Sequence, residues 1–173
     1  MRFLLMLLTI SLVACASNDT AAVMQQTYVA TFKSLTEANR AGIIDNKTFL
    51  DVIEPADKVA YASVKAAMNA RARGDNVALR AAEVAFDALM KELEPLIAKT
   101  KPKRAGVDAL ALIAIATALM KLVKDATPWF TIIKKLISGE PLTPAEHELL
   151  DRQTEEVHND VQARAQEIRK DVG

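Results

Sequence analysis

From Leu79 to Leu96 the apolar residues fall in alternating steps of three and four: Leu79, Ala82, Phe86, Leu89, Leu93 and Leu96. An α-helix gathers those positions on one face, and a seam that narrow fits a second helix rather than a sheet. Gly74 lies just before this stretch, and Asp75 is placed to cap it. The preceding segment Pro55–Arg73, "PADKVAYASVKAAMNARAR", is Ala-rich and strongly helical in propensity. The two therefore read as an antiparallel pair joined by a turn at Gly74. β-branched alternation between Asn-Gly or Asp-Gly turns is missing, and the 173 residues hold five Gly and six Pro. The expected class is all-α: a single-domain antiparallel bundle of about five to six helices.

The remaining helices follow from the same spacing argument. Met24, Tyr28, Phe32 and Leu35 make a stripe over residues 21–40, with Gly42 just past its end. "TFLD" at Thr48–Asp51 has the spacing of a capping box and predicts a short second helix. Pro55 then either kinks it or opens a new one. The Ala-rich helix after Pro55 is expected to pack tightly rather than carry a site. Pro95 is expected to limit the helix that follows Gly74. "KTKPKRAG", residues 99–106, reads as a basic loop between two halves. "ALALIAIATALM", residues 109–120, is apolar all round, too short for a bilayer span and bracketed by Asp108, Lys121 and Lys124, so it predicts a buried central helix. "PWFTIIKKLISG" predicts a short helix with Trp129, Ile133 and Leu136 on one side. In the last helix Thr143 is the N-cap, Pro144 the first residue, and Glu146 completes a capping box. Leu150, Thr154, Val157, Val161, Ala165 and Ile168 are its core face.

The chain opens "MRFLLMLLTISLVAC", a short positive region and an apolar run with the length of a signal peptide. Leu12–Cys15, "LVAC", resembles the lipobox of bacterial lipoproteins. The resemblance implies diacylglyceryl transfer to the thiol of Cys15, cleavage between Ala14 and Cys15, and acylation of the new amino terminus. A thiolate is the side chain best suited to attack a lipid carbon. Two or three acyl chains anchor firmly where one gives only marginal attachment. Ala16, rather than Asp, at the position after the lipidated cysteine implies the outer membrane, facing the periplasm, if the cell is Gram-negative. Residues 15–20 then form a tether and 21–173 the bundle. No cofactor is expected beyond the covalent acyl chains, and with the one cysteine lipidated no disulfide staples the domain.

Removing residues 1–14 leaves 159 residues, with 21 Lys plus Arg against 22 Asp plus Glu. That balance offers nothing to nucleic acid. Both histidines lie on the last helix. "HELLD" places Asp151 where the H-E-x-x-H zinc motif needs its second imidazole, and "EEVH" gives one Glu-x-x-His pair without the second that a di-iron bundle requires. His147 and His158 sit about 16 Å apart along one helix, too far for one ion. Neither a G-x-S-x-G motif nor a phosphate loop is present. No catalytic and no metal residues are assigned. His158 is expected to be exposed, and replacing either histidine by Ala is expected to leave folding and partner binding unchanged. Glu148, Asp151 and Glu155 are expected to be solvated. As a partner surface two charged regions stand out: Lys99, Lys101, Lys103 and Arg104, which suit anionic headgroups or form a plain solvated loop, and Glu148, Asp151 and Glu155, which suit a basic partner or form a plain solvated face.

Three functions compete. The first is a non-enzymatic envelope lipoprotein, a helical bundle on a lipid tether that binds or spaces another envelope component. The second is a membrane-active protein in which Ala109 to Ile137 leaves the bundle and inserts; the mature region loosely resembles small Ala-rich phage and prophage lipoproteins, including exclusion and lysis proteins. The third is a hydrolase built on the Glu and His residues of the last helix. The first is the expected one.

Overall fold

The computed structural model describes residues 19–100 and 127–172. Cys15, the basic residues Lys101, Lys103 and Arg104, and the apolar stretch 109–120 lie outside the described residues. Those described form an all-α bundle: α1 (Thr20–Arg40), the single turn α2 (Asn46–Thr48), α3 (Glu54–Arg73), α4 (Asn76–Thr100), α5 (Thr127–Ser138) and α6 (Pro144–Val172).

α1 starts where Asp19 accepts the Ala22 amide at 3.1 Å, so Asp19 and Thr20, expected in the tether, belong to the bundle. Its stripe of Met24, Tyr28, Phe32 and Leu35 is buried as the spacing predicts. Past its end Gly42 takes φ +72°. The second helix is capped differently from the expectation. Asp45, not Thr48, is the cap, accepting the Thr48 amide at 2.7 Å and its hydroxyl at 2.9 Å. Asp forms the stronger cap here because its two oxygens take both donors, which places Thr48 inside the helix. The chain then widens into a π-turn over Phe49–Ile53, closed by the Glu54 amide on the Phe49 carbonyl, and runs straight into α3 with Pro55 in its first turn. A proline there has no amide to donate back, so the wider turn loses nothing at that position.

α3 buries Ala56, Ala60, Val64, Ala67 and Ala70, small residues that let a neighbouring backbone come close. It ends at Gly74, whose φ of +66° is the left-handed value that a Cβ disfavours. Asp75 then caps α4 by accepting the Ala78 amide at 3.0 Å. Pro95 does not end α4, which continues through it to Thr100. Pro95 is exposed, where its ring has room. Lys99 therefore sits in the last turn of α4 rather than in a loop. On the predicted seam Ala82, Phe86 and Leu93 are buried, and Leu79, Leu89 and Leu96 are partly so. In α5, Leu136 of the predicted face is buried but Ile133 is only half-buried; Ile132, one position before it, is the packed partner of Leu136, and the Trp129 side chain lies outside the described ones. α6 starts with the predicted capping box, the Thr143 amide donating to Glu146 at 2.6 Å and the Glu146 amide to the Thr143 hydroxyl at 3.3 Å. All six of its predicted core residues are buried.

The cross-links between helices fix their directions. Asp57 of α3 meets Tyr28 of α1, while Arg71 meets Asp19, so α1 and α3 are antiparallel. The α3–α6 contacts run from Glu54–Arg169 to Arg71–His147 and are antiparallel too. α1 and α6 consequently run side by side in the same direction, joined by Gln25–Asp151 and Arg40–Asp160.

The packing predicts unequal costs along α4. Phe86→Ala should cost about 3–5 kcal/mol, since it empties a fully packed site, and Leu89→Ala less because it is half-buried. Lys91→Ala, exposed, should stay within about 0.5 kcal/mol. Urea unfolding of the three variants checks the order; equal effects would mean the helix face is set differently.

Candidate functional site

Three helices send polar side chains to one buried point. On α3, Asp57, Tyr61 and Lys65 recur every four residues, so they lie in one row. On α6, Glu155, His158 and Gln162 form a facing row, and α1 contributes Tyr28. Asp57 is fully buried. Its Oδ1 accepts the Tyr28 hydroxyl at 2.6 Å. Its Oδ2 accepts Gln162 Nε2 at 2.9 Å and lies 2.7 Å from His158 Nδ1. His158 is thereby oriented as an Nδ1–H donor.

Tyr61 closes the open side. Its ring stacks on the His158 imidazole with centroids 4.0 Å apart and planes 8° from parallel. Its hydroxyl donates to Glu155 at 2.6 Å, and Lys65 Nζ donates to the other Glu155 oxygen at 2.6 Å. Tyr28 leans on Phe32 at 5.0 Å and Tyr61 at 6.3 Å, so the polar cluster continues into the aromatic part of the core.

The electrostatics follow from burial. Loss of water raises the Asp57 carboxyl above its ordinary range, outweighing the opposing hydrogen bond from Tyr28 and the pull of His158. Burial first, and then the Asp57 charge, push the Tyr28 phenol far above its ordinary value, so it stays a donor. Glu155 shifts the other way: the Lys65 hydrogen bond, helped by Tyr61, holds it below the usual carboxylate range. Glu54 is also held low, burial being outweighed by Lys58 and Arg169.

Two smaller polar clusters flank this one. Near the start of α1, Asp19 accepts Arg71 Nη1 at 2.9 and 3.0 Å. His147 bridges the pair, its Nδ1 3.2 Å from Arg71 and its Nε2 3.3 Å from Asp19. Near the other end, Asn39 of α1 accepts Arg164 Nε at 2.7 Å and donates to the Ile44 carbonyl at 3.0 Å.

This geometry corrects several expectations. Neither histidine is a free surface group, because α3 presents an acid to His158 and an Arg to His147. Glu155 and Asp151 are not simply solvated: Glu155 is held by Tyr61 and Lys65, and Asp151 accepts Gln25 Nε2 at 2.6 Å. Of that acidic trio Glu148 alone stays exposed. The Ala-rich helix, expected to carry no site, supplies the centre of this one. A row at i, i+4 and i+8 through Asp57, Tyr61 and Lys65 was the signal available in the sequence.

Asp57 with His158 has the form of an orienting carboxylate and base, as in hydrolytic triads. A triad also needs a hydroxyl or thiol at the other ring nitrogen, and among the described residues His158 makes no such bond. Nor, among them, do three or more His, Cys, Asp or Glu side chains gather as a metal would require. A shallow hollow of about 320 Å³ between α1 and α6, bordered by Lys33, Gln153, Glu156 and Asp160 among others, does not reach Asp57. What the cluster does is hold α1, α3 and α6 together. Comparison with protein-family models, curated proteins and solved structures finds no match to this chain.

Removing the imidazole would leave the buried Asp57 short of a donor and Tyr61 without its stack. His158→Ala should therefore cost about 1–3 kcal/mol, and Lys65→Ala, whose pair is over a third exposed, no more than about 1 kcal/mol. Asp57 also sets a pH dependence. Its carboxyl holds a proton more tightly in the folded state, so stability should fall as pH rises from the ordinary 3.8 through the raised value. Glu155 and Glu54 act oppositely, adding stability above their ordinary 4.5 that is lost as pH falls through their depressed values. Asp57→Asn cannot titrate; denaturation across a pH series should show that the Asp57 decline alone has vanished.

Proposed function

We propose that this protein is a lipid-anchored envelope protein whose helical domain works as a non-enzymatic spacer or binding module. The observation that carries the reading is the spacing between two features at the start of the chain. The lipobox-like "LVAC" ends at Cys15, and the bundle begins only four residues later, where Asp19 caps α1 and binds Arg71. A signal, an acylated cysteine and a domain that starts at once make a compact module carried close to a membrane.

The polar chemistry supports a mechanical role over a catalytic one. Tyr28, His158 and Gln162 are spent on a buried carboxylate, and Tyr61 and Lys65 on Glu155. Groups used to join helices are not available to a substrate. Among the described residues no helix is long and apolar enough to cross a membrane, so attachment in this reading falls to the acyl chains on Cys15. The outer membrane is the proposed location in a Gram-negative cell, from Ala16, and the proposed partner is another envelope component.

Cys15→Ser is expected to abolish incorporation of a palmitate analogue and to leave an uncleaved precursor. Metabolic labelling followed by mass spectrometry of the amino terminus reads both. Label persisting on the substituted protein would refute the anchor.

A further inference from the structure

The geometry points to one end of the bundle, the turn between α3 and α4, as a surface that rests against the bilayer. This inference rests on the anchor at Cys15 proposed above and adds to it an orientation and a contact surface.

Asp19, the first residue of the bundle, is fixed to Arg71 of α3 and His147 of α6. α3 runs opposite to α1, so beyond Arg71 it continues past the level at which the chain enters. Three further residues reach Gly74, about 4.5 Å farther at 1.5 Å per residue. The start of α6 before His147 projects the same way. The chain from Cys15 to Asp19 spans at most about 14 Å, at 3.3–3.6 Å per residue. An acyl-anchored Cys15 therefore keeps Asp19 within that distance of the interface, and in the proposed orientation the α3–α4 turn, which projects past Asp19, is turned toward the bilayer. The far end, at Ile43, is a 21-residue helix away, roughly 30 Å.

That end of the bundle exposes apolar side chains. Val77, in the first turn of α4, is 82% exposed, the most exposed large apolar side chain among the described residues. Pro144 and Ala145, at the projecting start of α6, are exposed as well, and so is Pro141 in the segment before it. Arg73 is exposed at the rim, while Arg71 and Arg80 are engaged by Asp19 and Glu83 and Asp75 caps α4. A small apolar tip with an arginine beside it suits a phosphodiester headgroup layer: the apolar groups enter the interface and the guanidinium meets phosphate. Asp75, which among the described residues accepts only the Ala78 amide, and the exposed Glu140 offset the arginine at this end, so attraction to net anionic lipid plays little part.

The test uses the full-length lipidated protein in phosphatidylethanolamine–phosphatidylglycerol vesicles. Val77→Cys and, as the far-end control, Ile43→Cys are each labelled with a fluorophore, and nitroxide-headgroup lipid is the quencher. Ile43 is 56% exposed, so both sites accept a label. The expected result is quenching several-fold stronger at position 77 than at 43. Equal quenching, or stronger quenching at 43, would overturn the orientation while mass spectrometry of the same sample still shows acylated Cys15. An unacylated Cys15 would overturn both readings. Shielding of the position 77 label that needs no vesicles and grows with protein concentration would assign the tip to a second copy of the chain and overturn the membrane contact.

Discussion

A carboxylate with no access to water is the constraint on which this bundle turns. Asp57 is fully buried, and an ionised group there is tolerable only when its lone pairs are taken by donors. Those donors come from two other helices, Tyr28 on α1 and His158 and Gln162 on α6. Any sliding or rotation of one helix against another breaks at least one of these bonds and leaves charge or dipole unpaired in the core. Apolar contacts among Ala, Val and Leu tolerate such slippage far better. The same burial explains the raised carboxyl of Asp57 and the phenol of Tyr28 that stays protonated. A cluster like this does not have to be strongly stabilising to matter; its value lies in rejecting wrong registers.

That selectivity is needed because the apolar part of the interface is unspecific. α3 buries a run of alanines, which pack closely but carry little shape. On α6, Thr154 returns its hydroxyl to the Leu150 carbonyl at 2.8 Å and so passes as an apolar position. Along the α1–α6 contact, two helices running the same way cannot be joined by a short turn, so sequence proximity does not set their register. Gln25–Asp151, Asn39–Arg164 and Arg40–Asp160 do so instead. Polar pairs thus appear where topology leaves the packing least determined.

The helices were legible in the sequence because their signals are local. The stripes of α1 and α6, the capping box at Thr143 and the turn at Gly74 each depend on residues within a few positions of one another. Misreadings arose where two local signals competed, as when Asp45 rather than Thr48 capped the second helix, or where a rule was applied too strictly, as at Pro95, which the exposed side of α4 accommodates. The site was largely hidden. Asp57 and His158 are 101 residues apart, and nothing in either neighbourhood names the other. Reading His158 as exposed was reasonable from α6 alone, since it lies beside the Val157–Val161 stripe rather than on it. That flanking position is where a helix meets its neighbour obliquely, and α3 happens to offer Asp57 and Tyr61 there. The one trace of the pairing in the sequence is that the row Asp57, Tyr61, Lys65 and the row Glu155, His158, Gln162 have matching helical spacing.

Asp19 shows how the same device serves the place where the chain enters the bundle. The first amides of a helix have no internal partners and fray easily. Here one carboxylate caps the Ala22 amide, lies favourably at the positive end of the helix dipole, and holds Arg71 and His147. The first turn of α1 is therefore tied to α3 and α6 before any apolar residue of the stripe contributes. If the chain before Asp19 is an anchor under tension, a pull on it does not peel α1 residue by residue, because the load passes at once to three helices. A free-standing globular domain gains little from such reinforcement at its first residue. A domain carried by that residue, as in the anchored protein proposed above, gains a great deal.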